Sequence, residues 1–123
     1  MTTILVDFYT IIEQQQKADI AIFELLLNAD HPIYKGHFPN QPVMPGVCML
    51  QLVTELTSKA LGQSLQLKKA SQAKFLVPIV PQQFPQIKLK TRFVAQEEQQ
   101  WKITASIEGA NQIFFKFKGL LAL

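Results

Sequence analysis

The sequence has few of the residues that build disulfide or metal-held frameworks. It contains one cysteine, Cys48, and two histidines among its 123 residues. A single cysteine cannot form an internal disulfide, and one cysteine beside two histidines is not a recognisable set of metal ligands. We therefore expect a protein of a reducing compartment that needs no metal and no cofactor.

The sequence also lacks long apolar runs. No stretch approaches the roughly 20 apolar residues that a membrane-spanning helix requires. The first twelve residues carry no basic leader, and acidic Asp7 interrupts them early, so no signal peptide is expected. With 48% hydrophobic and 17% charged residues, the composition is that of a globular protein. We expect a cytoplasmic protein without a membrane span, folded as a single domain over residues 1–123.

Charge is distributed unevenly along the chain. Residues 1–67 carry three lysines and six acidic residues, whereas residues 68–123 carry nine basic and three acidic residues. A basic half can attract an acidic partner by electrostatic steering, although lysines also keep the outer faces of strands soluble. Nucleic acid is not an expected partner, because the basic residues are spread along strands and no nucleic-acid motif accompanies them.

One segment predicts a long helix preceded by a constrained loop. Four of the seven prolines fall within residues 31–45, which restricts the backbone of this loop. Residues 45–61 are apolar on most sides and begin with a proline, and Gly62 follows as the expected stop signal. A polar stripe at helical spacing crosses this apolar surface and either faces water or lines a site: Gln51, Thr54, Glu55 and Ser58.

The remaining segments predict strands. Two precede the helix, at 4–14 and 19–28, with glutamines 14–16 interpreted as a polar break between them. Four follow it, at 70–80, 86–96, 100–108 and 112–122. Apolar and basic residues alternate over 87–93, which is typical of a strand with one wet, basic face. This order predicts an α+β architecture in which a curved antiparallel sheet wraps a long central helix, with open edges that favour pairing of two copies.

The segment GHFPNQPVMPGV, residues 36–47, resembles the signature of the β-hydroxyacyl-acyl-carrier-protein dehydratases of fatty-acid synthesis. That signature is GHFPxxPxxPGV, followed by a short apolar run and an acidic residue, and every fixed position of its core is present. A second stretch, KASQAKFLVPIVP, is similar to the family's KxxxAKFxxPVxPGD, with Gln82 and Gln83 in place of glycine and aspartate. The resemblance implies a hotdog fold, assembled as a homodimer or a trimer of dimers, with active sites between subunits. It also implies an acyl thioester substrate carried on acyl carrier protein.

The resemblance implies that His37 is the catalytic histidine, and it aligns Gln51 with the family's acidic residue. Glu55 follows one turn later, roughly 5 to 6 Å along the helix axis, as though the two residues had changed places. Dehydration needs a base for the α-proton and an acid for the departing hydroxyl. A neutral imidazole can be the base, whereas an amide can only hold the hydroxyl or a water. Whether Glu55 supplies the acid is left open by the sequence.

The start of the helix is the expected substrate-binding region. The amides of Gly46 and Val47 have no intrahelical acceptors and lie at the positive end of the helix dipole. The resemblance implies that they hold the thioester oxygen, and Phe38 is expected to line the acyl site or to join the core. His31, before a proline, is expected to be a surface or turn residue. Candidates for docking an acidic carrier protein are Lys68, Lys69, Lys74 and Arg92.

Three functions are consistent with these residues. The first is dehydration of β-hydroxyacyl thioesters. The second is a catalytically impaired hotdog protein that acts as an acyl-binding subunit or as the partner of an active homologue, because Gln51 cannot pass a proton. The third is a hotdog thioesterase in which Glu55 directs a water, an alternative that the GHFP signature disfavours.

Overall fold

The chain folds as one antiparallel sheet wrapped around a long helix, in a computed structural model that describes residues 5–35 and 42–123. Within these residues the helix is α1 (Gly46–Leu61), and a short 3-10 turn spans Pro32–Tyr34. The strands are β1 (Tyr9–Lys17), β2 (Ile20–Leu27), β3 (Gln66–Phe75), β4 (Gln86–Ala95), β5 (Gln100–Gly109) and β6 (Gln112–Ala122). Their order across the sheet is β1-β2-β4-β5-β6-β3, and every neighbouring pair is antiparallel. The predicted hotdog fold is confirmed.

The helix has the ends that its sequence predicts. Pro45 precedes α1 in an extended conformation, and Gly62 closes it in the left-handed region at φ 65°. The amide of Gly62 donates to the carbonyls of Lys59 and Ser58, so backbone groups of the last turn are satisfied. Between these ends, Leu52 and Leu56 are fully buried in the core against the sheet. The predicted helix is therefore confirmed to within one residue.

The inner face of the sheet follows the alternation seen in the sequence. On β4 the inward residues Ile87 and Leu89 are buried, and the Thr91 hydroxyl bonds the Thr57 hydroxyl of α1 at 2.8 Å. The basic residues between them point outward, and three ion pairs hold them: Lys88–Glu24, Lys90–Glu108 and Arg92–Asp19. Because these pairs are exposed, each contributes little to stability. The predicted wet, basic face is confirmed.

Two of the proposed docking residues, Arg92 and Lys74, differ in their ion pairing. Arg92 is already paired with Asp19 at 3.0 Å. Lys74 of β3 lies directly opposite Lys116 of β6, and no carboxylate within the described residues forms an ion pair with either. Like charges opposite one another across two strands are unfavourable, and the docking role of Lys74 stays a prediction.

Two strand predictions were wrong in position. The first strand begins at Tyr9 instead of residue 4, and it runs through glutamines 14–16, which are paired with β2 and do not form a break. The turn comes later, at Ala18 and Asp19, where Ala18 has φ 53°. The third strand spans Gln66–Phe75 instead of 70–80, because the prolines at 78 and 81 have no amide for a ladder. Both β1 and β3 are edge strands, and most of their residues are exposed.

Candidate functional site

The polar stripe of α1 divides into structural residues and a potential site. The Thr54 hydroxyl donates to the Leu50 carbonyl at 3.0 Å, and the Ser58 hydroxyl accepts from the Leu65 amide at 3.2 Å. Both hydroxyls therefore satisfy nearby backbone, as polar groups in a buried helix must. The other two members, Gln51 and Glu55, contact each other. The stripe does not face water, since of its four residues only Gln51 is more than slightly exposed.

Glu55 is a buried carboxylate held by side chains from two elements. Its residue is only 4% exposed. The Tyr9 hydroxyl of β1 donates to Oε2 at 3.2 Å, and Gln51 Nε2, one turn earlier on α1, donates to Oε1 at 3.2 Å. A buried carboxyl group requires hydrogen-bond partners of this kind, because water cannot supply them. Although position 51 is a glutamine and the glutamate lies one turn later, the Glu55 carboxyl group thus remains in contact with the side chain at position 51.

An open groove of about 730 Å³ lies beside this carboxylate. One wall is the segment that leads into β1, and the other is the second half of α1 with the turn that follows it. The groove is lined by Leu5, Val6, Asp7, Tyr9, Ile11, Glu55, Ser58, Lys59, Gly62, Gln63 and Ser64. Its lining combines apolar side chains of the β1 segment with polar and charged ones, among them a second carboxyl residue, Asp7. Glu55 thus lies at the boundary of this groove, whereas Gln51 and the start of α1 are not part of its lining.

Both tyrosines of the chain have a raised pKa, each in its own surroundings. Burial, followed by the charge of Glu55 and the hydrogen bond to it, raises the pKa of Tyr9. Burial, followed by the neighbouring Cys48, raises the pKa of Tyr34, and burial alone raises the pKa of the Cys48 thiol. Both phenols consequently stay protonated well past the ordinary range, and the Tyr9 hydroxyl remains a donor.

We expect neither tyrosine to ionise in the folded protein near pH 10, where a free tyrosine is half ionised. Above about pH 10 the unfolded chain loses the two phenol protons while the folded chain keeps them. The free energy of unfolding is therefore highest below about pH 10 with respect to these groups, and it falls as the pH rises above that value. Phenolate absorbance, followed together with circular dichroism, measures both quantities. Phenolate formation near pH 10 in a still-folded protein would contradict the burial of both side chains.

The start of α1 presents two amides with free hydrogens. Within the described residues, no acceptor bonds the amide of Gly46 or of Val47, and the Val47 side chain is 65% exposed. The Phe75 ring covers Gly46 so closely that a Cβ there would lie 2.9 Å from two ring carbons. A larger residue at position 46 would therefore push the Phe75 ring aside. The arrangement leaves both amides available to a ligand, and their role with the thioester oxygen stays a prediction.

The two histidines differ in what the structure says of them. His37 and Phe38 lie outside the described residues, so their roles also stay predictions. His31 Nδ1 accepts from the Ile33 amide at 3.1 Å, and Nε2 contacts the Val6 carbonyl at 2.9 Å, which requires the Nε2-protonated tautomer. Both ring nitrogens are thus used by the backbone. The expectation that His31 is a turn residue is confirmed.

Sequence reasoning missed Tyr9. The only signal was a tyrosine, an amphipathic side chain, within an otherwise apolar strand. Tyr9 lies 46 positions from Glu55, so its contact depends on how β1 lies against the helix. Because the predicted strand began five residues too early, its inward face could not be assigned.

The described ranges contain no candidate metal centre. Within residues 5–35 and 42–123, no three His, Cys, Asp or Glu side chains are grouped so that they could hold a metal ion. The same ranges contain no helix with the length and hydrophobicity to cross a membrane.

Comparisons with known proteins identify relatives of this chain. A family model described as ApeI-like, ApeI dehydratase, matches residues 13–117. The 3-hydroxyacyl-[acyl-carrier-protein] dehydratase FabZ of Anaeromyxobacter dehalogenans is 30% identical over 105 residues, covering 76% of this chain and 66% of the relative. FabZ of Bartonella bacilliformis is 31% identical over 114 residues, covering 86% and 72%. The match spans less than two thirds of the Anaeromyxobacter relative.

A solved structure shares the fold. A chain of the dehydratase heterocomplex ApeI:P from Xenorhabdus doucetiae superposes with a TM-score of 0.73 at 22% sequence identity. The superposition covers 94% of this chain and 98% of that chain. The helix and the six strands described above thus form a known arrangement.

Proposed function

Because the chain belongs to the ApeI-like dehydratase family, we propose that it dehydrates β-hydroxyacyl thioesters carried on acyl carrier protein, in fatty-acid or related acyl-chain synthesis. The contact between Gln51 Nε2 and Glu55 Oε1, 3.2 Å apart, carries this proposal. It brings a carboxyl group within one hydrogen bond of position 51, which aligns with the acidic residue of the motif. Glu55 is therefore the candidate for the missing acid.

In the proposed reaction, the imidazole of His37 takes the α-proton, and the electron pair of that C–H bond forms the new double bond. The β carbon–oxygen bond breaks with its electron pair on oxygen. Glu55, as a carboxylic acid, protonates that oxygen, so that water leaves. The imidazolium then returns its proton to the Glu55 carboxylate, and the enzyme regains its starting state. The amides of Gly46 and Val47 hold the thioester oxygen while it gains negative charge.

Gln51 has a distinct role in this scheme. Side chains on a helix lean toward its N-terminus, so Gln51 lies between the start of α1 and Glu55. Its Nε2 donates to Glu55, which leaves its carbonyl oxygen to accept a hydrogen bond from the substrate hydroxyl. The hydroxyl is then held next to the group that protonates it, either directly or through one water. Gln51 orients the leaving group, and Glu55 supplies the proton.

The test of this function is the conversion of a β-hydroxyacyl thioester to the enoyl thioester, followed by enoyl absorbance. We expect the wild type to be active and His37→Ala to be slower by on the order of 10² to 10⁴, the usual contribution of a general base. His31→Asn is the control, because asparagine also caps a helical turn and the contacts of His31 with described residues are to the backbone and to Phe8. Equal rates for the wild type and His37→Ala would exclude the role of His37.

A second candidate is a partner subunit that supplies His37 to a homologue carrying its own acid. The amide at Gln51 favours it, and so does the description of the Xenorhabdus dehydratase as a heterocomplex. This candidate predicts that the purified chain alone is inactive and that Gln51→Glu creates activity. Full activity of the chain alone, as a homodimer or a trimer of dimers, would rule it out. Release of free thiol from an acyl thioester would instead indicate a thioesterase.

A further inference from the structure

We propose that Tyr9 is a positioning residue of this site: its hydroxyl holds Glu55 in place and stabilises the carboxylate that forms when Glu55 gives up its proton. The proposal rests on the proposed function. Tyr9 lies outside the GHFP signature and the segment that follows it. Its role comes from a tertiary contact, since β1 brings it to a helix residue 46 positions away.

The geometry fixes the carboxyl group from both sides. Tyr9 reaches Oε2 from β1, and Gln51 reaches Oε1 along the helix, each at 3.2 Å. Two donors on different elements define both the position and the plane of the carboxyl. The Tyr9 side chain is itself packed against the hydrophobic core, so its hydroxyl has little freedom to move. Tyr9 and Glu55 both line the groove of about 730 Å³ described above.

The hydrogen bond from Tyr9 gains strength during the reaction. A neutral carboxylic acid accepts an ordinary hydrogen bond, but a carboxylate accepts a charge-assisted bond that is roughly twice as strong. Glu55 acquires this charge while 4% exposed, where water can solvate it little. Tyr9 therefore stabilises the transition state more than the bound substrate, and such an interaction raises kcat and leaves KM unchanged. Burial and Glu55 raise the pKa of Tyr9, which keeps its hydroxyl a donor throughout.

Tyr34 provides a matched comparison. Its hydroxyl is buried and has no hydrogen-bond partner among the described residues, and its ring stacks on Phe8. Tyr34→Phe and Tyr9→Phe each remove one hydroxyl from a ring packed against the core. The two variants differ in whether that hydroxyl donates to Glu55. A difference in their kinetics therefore reports the hydrogen bond.

We expect Tyr9→Phe to lower kcat roughly 10- to 100-fold, the range for a hydrogen bond to a charged group, with KM changed less than about twofold. Tyr34→Phe should keep the kcat of the wild type. In a Glu55→Gln background, Tyr9→Phe should change the residual rate by less than about threefold, because the hydroxyl acts through the carboxyl. An equal loss in both backgrounds, or a rise in KM alone, would overturn the proposal.

A second measurement separates this proposal from the proposed function. In Tyr34→Phe, Tyr9 is the one remaining tyrosine, so phenolate absorbance reports its ionisation alone. Adding Glu55→Gln should let Tyr9 ionise at lower pH, because the carboxylate no longer raises its pKa. Unchanged ionisation would show that Tyr9 does not hold Glu55, whatever the wild-type rate. A different outcome is that the wild type dehydrates no thioester although Glu55→Gln shifts the ionisation of Tyr9. That result would overturn the proposed function and the role of Tyr9 in catalysis, and it would leave only the contact between Tyr9 and Glu55.

Discussion

Glu55→Gln is expected to slow dehydration by on the order of 10² to 10⁴ while leaving the fold intact. The amide has almost the shape of the carboxyl group, and its oxygen can still accept the hydrogen bond from Tyr9. Its new NH2 group faces Gln51, whose amide can turn over so that its oxygen accepts. The amide at position 55 cannot protonate the departing hydroxyl. The variant side chain has the same size and keeps hydrogen-bond partners on both sides, so the thermal unfolding midpoint should change little. Single-turnover formation of the enoyl thioester measures the chemical step directly.

The matched control for this variant is Glu24→Gln. Glu24 lies on the outer face of the sheet, where its carboxylate pairs with Lys88 at 3.7 Å. The same chemical change at this exposed site should leave the rate unaltered, because the pair contributes little and lies on the face of the sheet turned away from the helix. A Glu55→Gln protein as fast as Glu24→Gln would show that Glu55 is not the acid.

The reciprocal exchange tests the arrangement of the pair. Gln51→Glu combined with Glu55→Gln moves the carboxyl to the position at which the dehydratase signature has it, and retains an amide one turn later. If the contact between positions 51 and 55 is what the chemistry needs, the double variant should recover much of the activity that Glu55→Gln loses. Failure to recover would mean that Tyr9, which reaches position 55, is required to hold the acid.

The helix and the central strands were predicted accurately, because each has a sequence pattern that follows directly from its structure. Pro45 and Gly62 mark the ends of α1, and the alternation along β4 follows from one buried and one wet face. The edge strands β1 and β3 carry no such pattern, since most of their residues are exposed on both faces. Their positions depend on pairing with β2 and β6, which only the folded sheet defines.

The site was predicted in part for the same reason. Helical spacing was sufficient to place Gln51 and Glu55 on one stripe, because local geometry fixes that relation. The contact to Tyr9 was not predictable, since it requires β1 to be in its correct position beside the helix. The stripe also contained two residues, Thr54 and Ser58, whose hydroxyls bond nearby backbone. A polar residue in an apolar helix therefore indicates a site only after its local partners are known.

Gly119→Ala is expected to destabilise the protein by at least about 3 kcal/mol, near the upper end of overpacking costs, or to prevent folding. Gly119 is buried on β6, where it pairs with Ile103 of β5 and Ala70 of β3. A Cβ at this position would collide with the Lys69 carbonyl oxygen and lie 2.6 Å from the Phe117 ring. The obstacle is backbone within the sheet, so no side-chain rotation relieves it.

Gly62→Ala is the control that separates this clash from backbone strain. Gly62 has φ 65°, but no atom lies within 4 Å of a Cβ built there, so alanine should cost only about 1 to 2 kcal/mol. Denaturant unfolding of both variants measures the difference.

A folded Gly119→Ala must move β3 away from β6, and β3 carries the Phe75 ring that covers Gly46 at the start of α1. Such a protein should lose dehydration as well as stability. Equal stabilities for the two alanine variants would contradict the clash, because the sheet would then accept the added Cβ at no more than the cost of backbone strain at Gly62.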